Sequence, residues 1–152
     1  MSERIAKIEL DQRATTRSKE ATHERNVAIA DLLDENTFEP MCMQDGPYDI
    51  VLGVSDGRLV LDVNSVSGKT SRVLLSIAPL RGIIRDYFMI CESYYDALKD
   101  ASCGKIEAID MGRRGVHNEG SELLQEVLKD RIIVDFPTAR RLFTLICVLH
   151  LK

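Results

Sequence analysis

The stretch Tyr48-Asp49-Ile50-Val51-Leu52-Gly53-Val54-Ser55-Asp56-Gly57-Arg58-Leu59-Val60-Leu61-Asp62-Val63 decides the fold class. Tyr48, Ile50, Leu52 and Val54 alternate with polar or small residues, the period of a strand with one buried face. Asp56-Gly57 is a hairpin turn signal, and Leu59, Leu61 and Val63 resume the alternation after it. Ser65 to Gly68 turns the chain again, and Val73, Leu75 and Ile77 make a third strand. Residues 48–77 therefore read as an antiparallel meander with one face in the core.

Beyond the meander the pattern turns helical. Pro79 suits a first helical turn, where its missing N–H needs no partner. From 79 to 101, Leu80, Ile84, Tyr87, Phe88, Cys91, Tyr95 and Leu98 recur at helical spacing and are expected to share a buried face. Ile83, Ile90, Tyr94 and Ala97 widen that face. Upstream, residues 4–10 alternate as a strand with Ala6, Ile8 and Leu10 on one side. Residues 11–19 are polar and read as loop, and a helix spans about 19–36 on the stripe Ile29, Leu32 and Leu33. Pro40 and Asp45-Gly46-Pro47 mark a break.

In the C-terminal half, Gly104 breaks the chain, and 105–111 reads as a helical turn or two. A glycine-rich loop at 112–122 then precedes a helix, capped by Asn118 or Ser121, that carries Leu123, Leu124, Val127 and Leu128. Residues 132–134 read as a short strand. Pro137 opens a last segment whose run Leu142 to Leu149 is apolar almost all round, which implies burial. The resulting fold is α+β in a single domain over 1–152: a small antiparallel sheet, the meander 48–77 plus short strands, packed against the long helix 79–101 and further helices.

The chain has 152 residues, 45% hydrophobic and 29% charged, with net charge -4. That balance speaks against nucleic-acid binding, which needs a clustered cationic footprint. The basic residues Lys129, Arg131, Arg140, Arg141 and Lys152 are offset by Asp130 and Asp135 and read as a solvated face. Met1 to Leu10 lacks the apolar core of a signal peptide. Leu142 to Leu149 is too short for a membrane helix. The four cysteines show no CxxC pair and lie in segments that read as mostly buried, so reduced thiols in the cytoplasm are expected. No metal or cofactor is expected.

Several motifs imitate catalytic ones. Gly53-Val54-Ser55-Asp56-Gly57 matches a nucleophile elbow, but a strand comes after Ser55 where that motif needs a helix. Ser67-Gly68-Lys69-Thr70 ends like a P-loop, yet Val63 stands where its first glycine belongs and a strand comes after Lys69. Gly115 to Gly120 repeats the spacing, but Ser121 and Glu122 replace the phosphate- and magnesium-contacting residues.

The candidate site is the polar segment 112–122. Arg113 and Arg114 could hold an anion, or pair with Glu119 and Glu122. His117, Asn118, Glu119 and Glu122 complete the set of candidate ligand-binding residues. His117 with Glu119 or Glu122 could do acid–base work in a small enzyme. A metal site joining these to His23 and Glu24 of the first helix is conceivable. The plainer reading of a lone histidine is a hydrogen-bonded structural imidazole. With no coherent catalytic set, a non-enzymatic binding or regulatory protein is favoured. A homo-oligomer is expected, because the helix 79–101 and the last segment offer much apolar surface, with a protein partner or a small anion as further occupants.

The runs His23-Glu24-Arg25, Asp86 through Tyr95, Ile106 through Gly120 and Thr138 through His150 resemble a family of uncharacterised, mainly alphaproteobacterial proteins. The resemblance covers essentially the whole chain, with 40–76 alike only in pattern. It implies a small bacterial intracellular protein and carries over no activity, cofactor or site residue.

Overall fold

A computed structural model describes residues 3–11 and 19–150. The elements run β1 (Ile5–Leu10), α1 (Lys19–Asp34), β2 (Phe38–Pro40), β3 (Tyr48–Ser55), β4 (Arg58–Ser65), β5 (Thr70–Ser76), α2 (Ala78–Asp100), α3 (Cys103–Leu128), β6 (Ile132–Val134) and α4 (Phe136–Leu149). The fold is α+β. The stretch 11–19 read as loop lies, apart from Asp11 and Lys19, outside the described residues.

The meander forms as its alternation requires. β3, β4 and β5 pair antiparallel, with Ile50 opposite Val63 and Leu61 opposite Val73. Asp56 and Gly57 both take positive φ at the first turn, as a two-residue hairpin demands. Tyr48, Ile50, Leu52, Leu59, Leu61, Val63 and Val73 are all buried on one face. The two turns that imitate catalytic motifs are hairpin turns.

The sheet is larger and less uniform than the meander. β1 adds to it in parallel beside β3, giving the order β1-β3-β4-β5. The register shifts between Ile5 and Lys7, a one-residue bulge at Ala6. An extra residue reverses the facing of everything on one side of it. Ile5 and Ile8 are thus both buried while Ala6 is exposed, which corrects the simple alternation expected for Ala6, Ile8 and Leu10. A separate two-stranded sheet joins β2 to β6, with Phe38 opposite Val134.

α4 is the helix that lies against β3, and it also packs on α1 and α3. Asp135 caps it, accepting from Thr138 N–H at 2.9 Å, with Pro137 in its first turn. Leu142, Phe143, Leu145, Ile146, Cys147 and Val148 are buried, so the near-continuous apolar run is the central helix of the core. α2 inserts Leu80, Ile84 and Tyr87 into that core, then runs on with α3 as its main neighbour. One neighbour covers only a stripe. Phe88, Cys91 and Tyr95 are accordingly half-buried, and Leu98 is 50% exposed, against the expectation of a largely buried face.

The largest correction concerns 103–128. The expected glycine-rich loop does not exist: α3 is continuous, capped by Ser102 accepting from Lys105 N–H at 3.3 Å. Asn118 and Ser121 are interior to it rather than caps. The glycines serve close packing. A Cβ on Gly112 would stand 2.9 Å from Ile90 Cδ1, and one on Gly120 would overlap the ring carbons of Phe143. They let α3 approach α2 on one side and α4 on the other.

Candidate functional site

Helical periodicity sorts the residues of 112–122 onto different faces. Arg113, Arg114 and His117 turn toward a shared space, while Asn118, Glu119 and Glu122 are exposed and do not border it. That space is an open cavity of about 410 Å³ where α1, α2, α3 and α4 meet. Its size falls within the roughly 300–1,000 Å³ of small-molecule sites. α1 contributes His23, Glu24, Val27, Ala28 and Asp31 to the wall. α2 contributes Tyr87, and α4 contributes Arg140, Arg141 and Thr144. Four arginines from two helices therefore line one cavity.

Three of the four are already engaged. Arg113 Nη2 bonds Asp110 Oδ1 at 2.6 Å, and its guanidinium carbon sits 4.3 Å from the centre of the Tyr94 ring. Arg114 reaches the other oxygen of Asp110 at 3.3 Å. The expected pairing with Glu119 and Glu122 is thus replaced by Asp110, one turn back, whose carboxyl Arg113 holds below the usual carboxylate range. Arg141 Nε lies 3.6 Å from Asp31, which also lines the cavity. Arg140 differs: its Nε is buried with no hydrogen-bond partner among the described residues.

His117 is only 8% exposed. Its ring packs edge-on against Tyr87 and Phe143, both at 5.2 Å between centres. Nε2 lies 2.7 Å from Thr144 Oγ1, and Nδ1 is buried with no partner among the described residues. Burial first, then the charges of Arg140, Arg113 and Arg141, lower its pKa to about 4, so the ring is neutral at neutral pH. Burial likewise pushes the Tyr87 phenol well above its ordinary value. Glu24 accepts from Tyr95 Oη at 3.2 Å.

Protonation of His117 opposes folding. The folded pKa lies below the ordinary value of 6.5, so between about 6.5 and 4 the unfolded chain takes up a proton that the folded chain refuses. Stability present above pH 6.5 is therefore lost as pH falls toward 4. Urea midpoints measured across that window should decline in the wild type and stay flatter in His117→Phe. Identical profiles for the two proteins rule out a neutral, buried His117.

The residues that sequence reasoning missed are Arg140, Arg141, Thr144, Tyr87 and Asp31. Only the adjacent basic pair Arg140-Arg141 left a signal, and it reads equally as a solvated face. Among the described residues no cluster of three histidine, cysteine or acidic side chains could hold a metal ion, and no helix is long and apolar enough to cross a membrane. All four cysteines are free; Cys42 and Cys103 are exposed, which corrects the expectation of mostly buried thiols, while Cys91 is half-buried and Cys147 buried.

Comparison with known proteins finds close relatives across the whole chain. A protein of Phenylobacterium zucineum is 53% identical over 148 residues, 97% of this chain and 92% of its own. One from Azorhizobium caulinodans is 54% identical over 153 residues, covering 98% and 94%. One from Brucella canis is 52% identical over 149 residues, covering 97% and 93%. No solved structure shows a significant match. All three relatives are UPF0262 proteins, and this chain, whose residues 2–152 match the family's model, belongs to the uncharacterised protein family UPF0262.

Proposed function

We propose that this protein is a non-enzymatic binding protein whose four-helix cavity takes a small anion. One observation carries the reading. Arg140 presents a desolvated, unpartnered guanidinium nitrogen, among the described residues, beside three further arginines in one cavity. A guanidinium whose Nε finds no acceptor within the fold is costly to bury, and an anion on its remaining nitrogens offsets that cost. The enzyme alternative loses its expected acid–base pair, because Glu119 and Glu122 lie away from the cavity and His117 is held neutral against Thr144.

The test is thermal melting at matched ionic strength in chloride and in phosphate. An anion at ten times its dissociation constant stabilises by about 1.4 kcal/mol. For a chain of this length that raises Tm by roughly 3–6 °C. Equal melting temperatures at every phosphate concentration reject the reading.

The same reading places the protein in the cytoplasm, which four free thiols support. It also includes a homodimer. Met89, Leu98 and Met111, each at least half exposed, leave apolar surface on the hairpin of α2 and α3. Light scattering at micromolar concentration should give twice the 17.1 kDa chain mass. A constant monomer mass over a broad dilution range removes the dimer.

A further inference from the structure

The two edges of the four-stranded sheet are finished differently. At the β1 edge the Asn36 side chain occupies Ile5, accepting from its N–H at 2.6 Å and donating to its carbonyl at 3.0 Å. Phe38 N–H bonds the Glu3 carbonyl nearby, and the bulge and the charged pair Lys7–Glu9 interrupt the rest of that strand. Bulges and charges are the usual means of keeping an edge from pairing. The β5 edge has neither cap nor bulge. β5 contains no proline, its register against β4 is unbroken, and β4 is the one element it packs on substantially among the described residues. Its single charged side chain, Arg72, is bound to Asp62 on β4 by hydrogen bonds at 2.7 and 3.1 Å.

The phase of the ladder fixes which groups point outward. Ser65 N–H bonds the Lys69 carbonyl at 2.8 Å, so Val63–Ser71, Leu61–Val73 and Leu59–Leu75 are the hydrogen-bonded pairs. Thr70, Arg72, Leu74 and Ser76 therefore turn their backbone N–H and C=O groups away from β4. For Thr70, Arg72 and Leu74 those groups have no hydrogen-bond partner among the described residues. The side chains of these residues lie on the solvent face of the sheet, where Leu74 is 41% exposed opposite half-buried Val60.

We infer that β5 pairs antiparallel with the β5 of a second copy, joining the two sheets into one across a two-fold axis. This rests on the homodimer reading above and gives it a seam. The hairpin of α2 and α3 lends apolar surface but no single seam, because Met89 and Leu98, nine residues apart, point to opposite sides of α2. A second copy fits the β5 edge because that edge is complementary to itself. Outward groups must meet outward groups, which leaves few symmetric registers. Arg72 opposite Arg72 sets like charges against each other. Leu74 opposite Leu74 leaves Thr70 without a strand partner. Arg72 opposite Leu74, centred on Val73, overlaps the whole of Thr70–Ser76. In that register the stem of Arg72 lies along Leu74 of the second copy while its charge stays with Asp62. The two Leu74 side chains come within diagonal reach, with Val60 beside each. The β4–β5 turn, which carries exposed Val66, then meets the second copy at its Ser76 end.

Light scattering and residue-resolved amide hydrogen exchange of the full chain, each at high and low concentration, test the seam. In the dimer the N–H groups of Arg72 and Leu74 should exchange at least about tenfold more slowly than in the diluted monomer. The Val73 N–H, bonded to β4, should stay protected in both. Leu74→Lys sets a second cation opposite Arg72 twice across the two-fold axis and should weaken dimerisation by at least about tenfold, with the melting temperature of the monomer unchanged. A dimer whose Arg72 and Leu74 amides exchange freely overturns the inference and leaves the homodimer standing with its seam elsewhere. A folded Leu74→Lys chain that dimerises as the wild type does has the same consequence. A wild-type mass that stays at one chain overturns both.

Discussion

Phe143→Ala should lower the unfolding free energy by about 3–5 kcal/mol, the loss expected for a fully buried aromatic ring. Phe143 is 0% exposed and touches the rings of Tyr87 and His117 edge-on, at 6.0 and 5.2 Å between centres. Its ring also occupies the place where a side chain at position 120 would stand. The converse substitution, Gly120→Ala, forces a methyl into that ring and should cost about 1–3 kcal/mol by overpacking. The two effects are coupled. In the Phe143→Ala background the methyl at 120 finds room, so Gly120→Ala should then be near neutral or stabilising. Urea denaturation of both single variants and the double variant measures the coupling. Strictly additive losses mean that α3 and α4 do not meet at this point, and that Gly120 is present for another reason.

Arg140→Ala should have the opposite profile: little loss of stability and a large loss of anion affinity. Its Nε has no partner among the described residues, and the charges of Arg113 and Arg141 bear on the same region as its own. Removing a guanidinium whose Nε is unsatisfied from such a site leaves stability unchanged or improved. The side chain's methylenes do pack, so a small loss of that contact offsets part of the gain. In the bound state the guanidinium donates a charge-assisted bond worth about 1.5–3 kcal/mol. Its loss weakens binding by roughly 10- to 150-fold. Arg113 behaves differently because Asp110 and the Tyr94 ring already hold it. Thermal melts and phosphate titrations of Arg140→Ala decide the matter. A variant that melts several kcal/mol lower yet binds phosphate as the wild type does makes Arg140 part of the scaffold and moves the site elsewhere.

Half of the candidate site is legible in residues 112–122. Arg113, Arg114 and His117 border the cavity, and His23 and Glu24, conceivable companions from the first helix, border it too. Asn118, Glu119 and Glu122 do not. A loop can converge all its side chains on one point, whereas a helix spreads consecutive residues around its axis. Reading the segment as a loop therefore groups all six, and the helix separates them. Arg140, Arg141 and Thr144 come from more than twenty residues downstream, and only the packing of α4 on α1 and α3 brings them to the same space.

The amino-acid sequence by itself determined the meander, the starts of two helices and the burial of the last one. Alternation in 48–63, Asp56-Gly57, Pro79 and Pro137 act through local backbone preference and through the side a residue faces, and neither needs a distant partner. Tertiary structure alone decided whether Gly112 and Gly120 end a helix or sit inside one. A glycine weakens a helix by roughly 1 kcal/mol relative to alanine, a penalty that close packing can outweigh. Here Ile90 and Phe143 fill the space the missing side chains leave, so the chain stays helical through 112–122. The same packing set the bulge that turned Ile5 and Ile8 to one face, and it left Arg140 and His117 each with a buried nitrogen unpartnered among the described residues. Those outcomes depend on which elements meet, and no local stretch of chain carries that information.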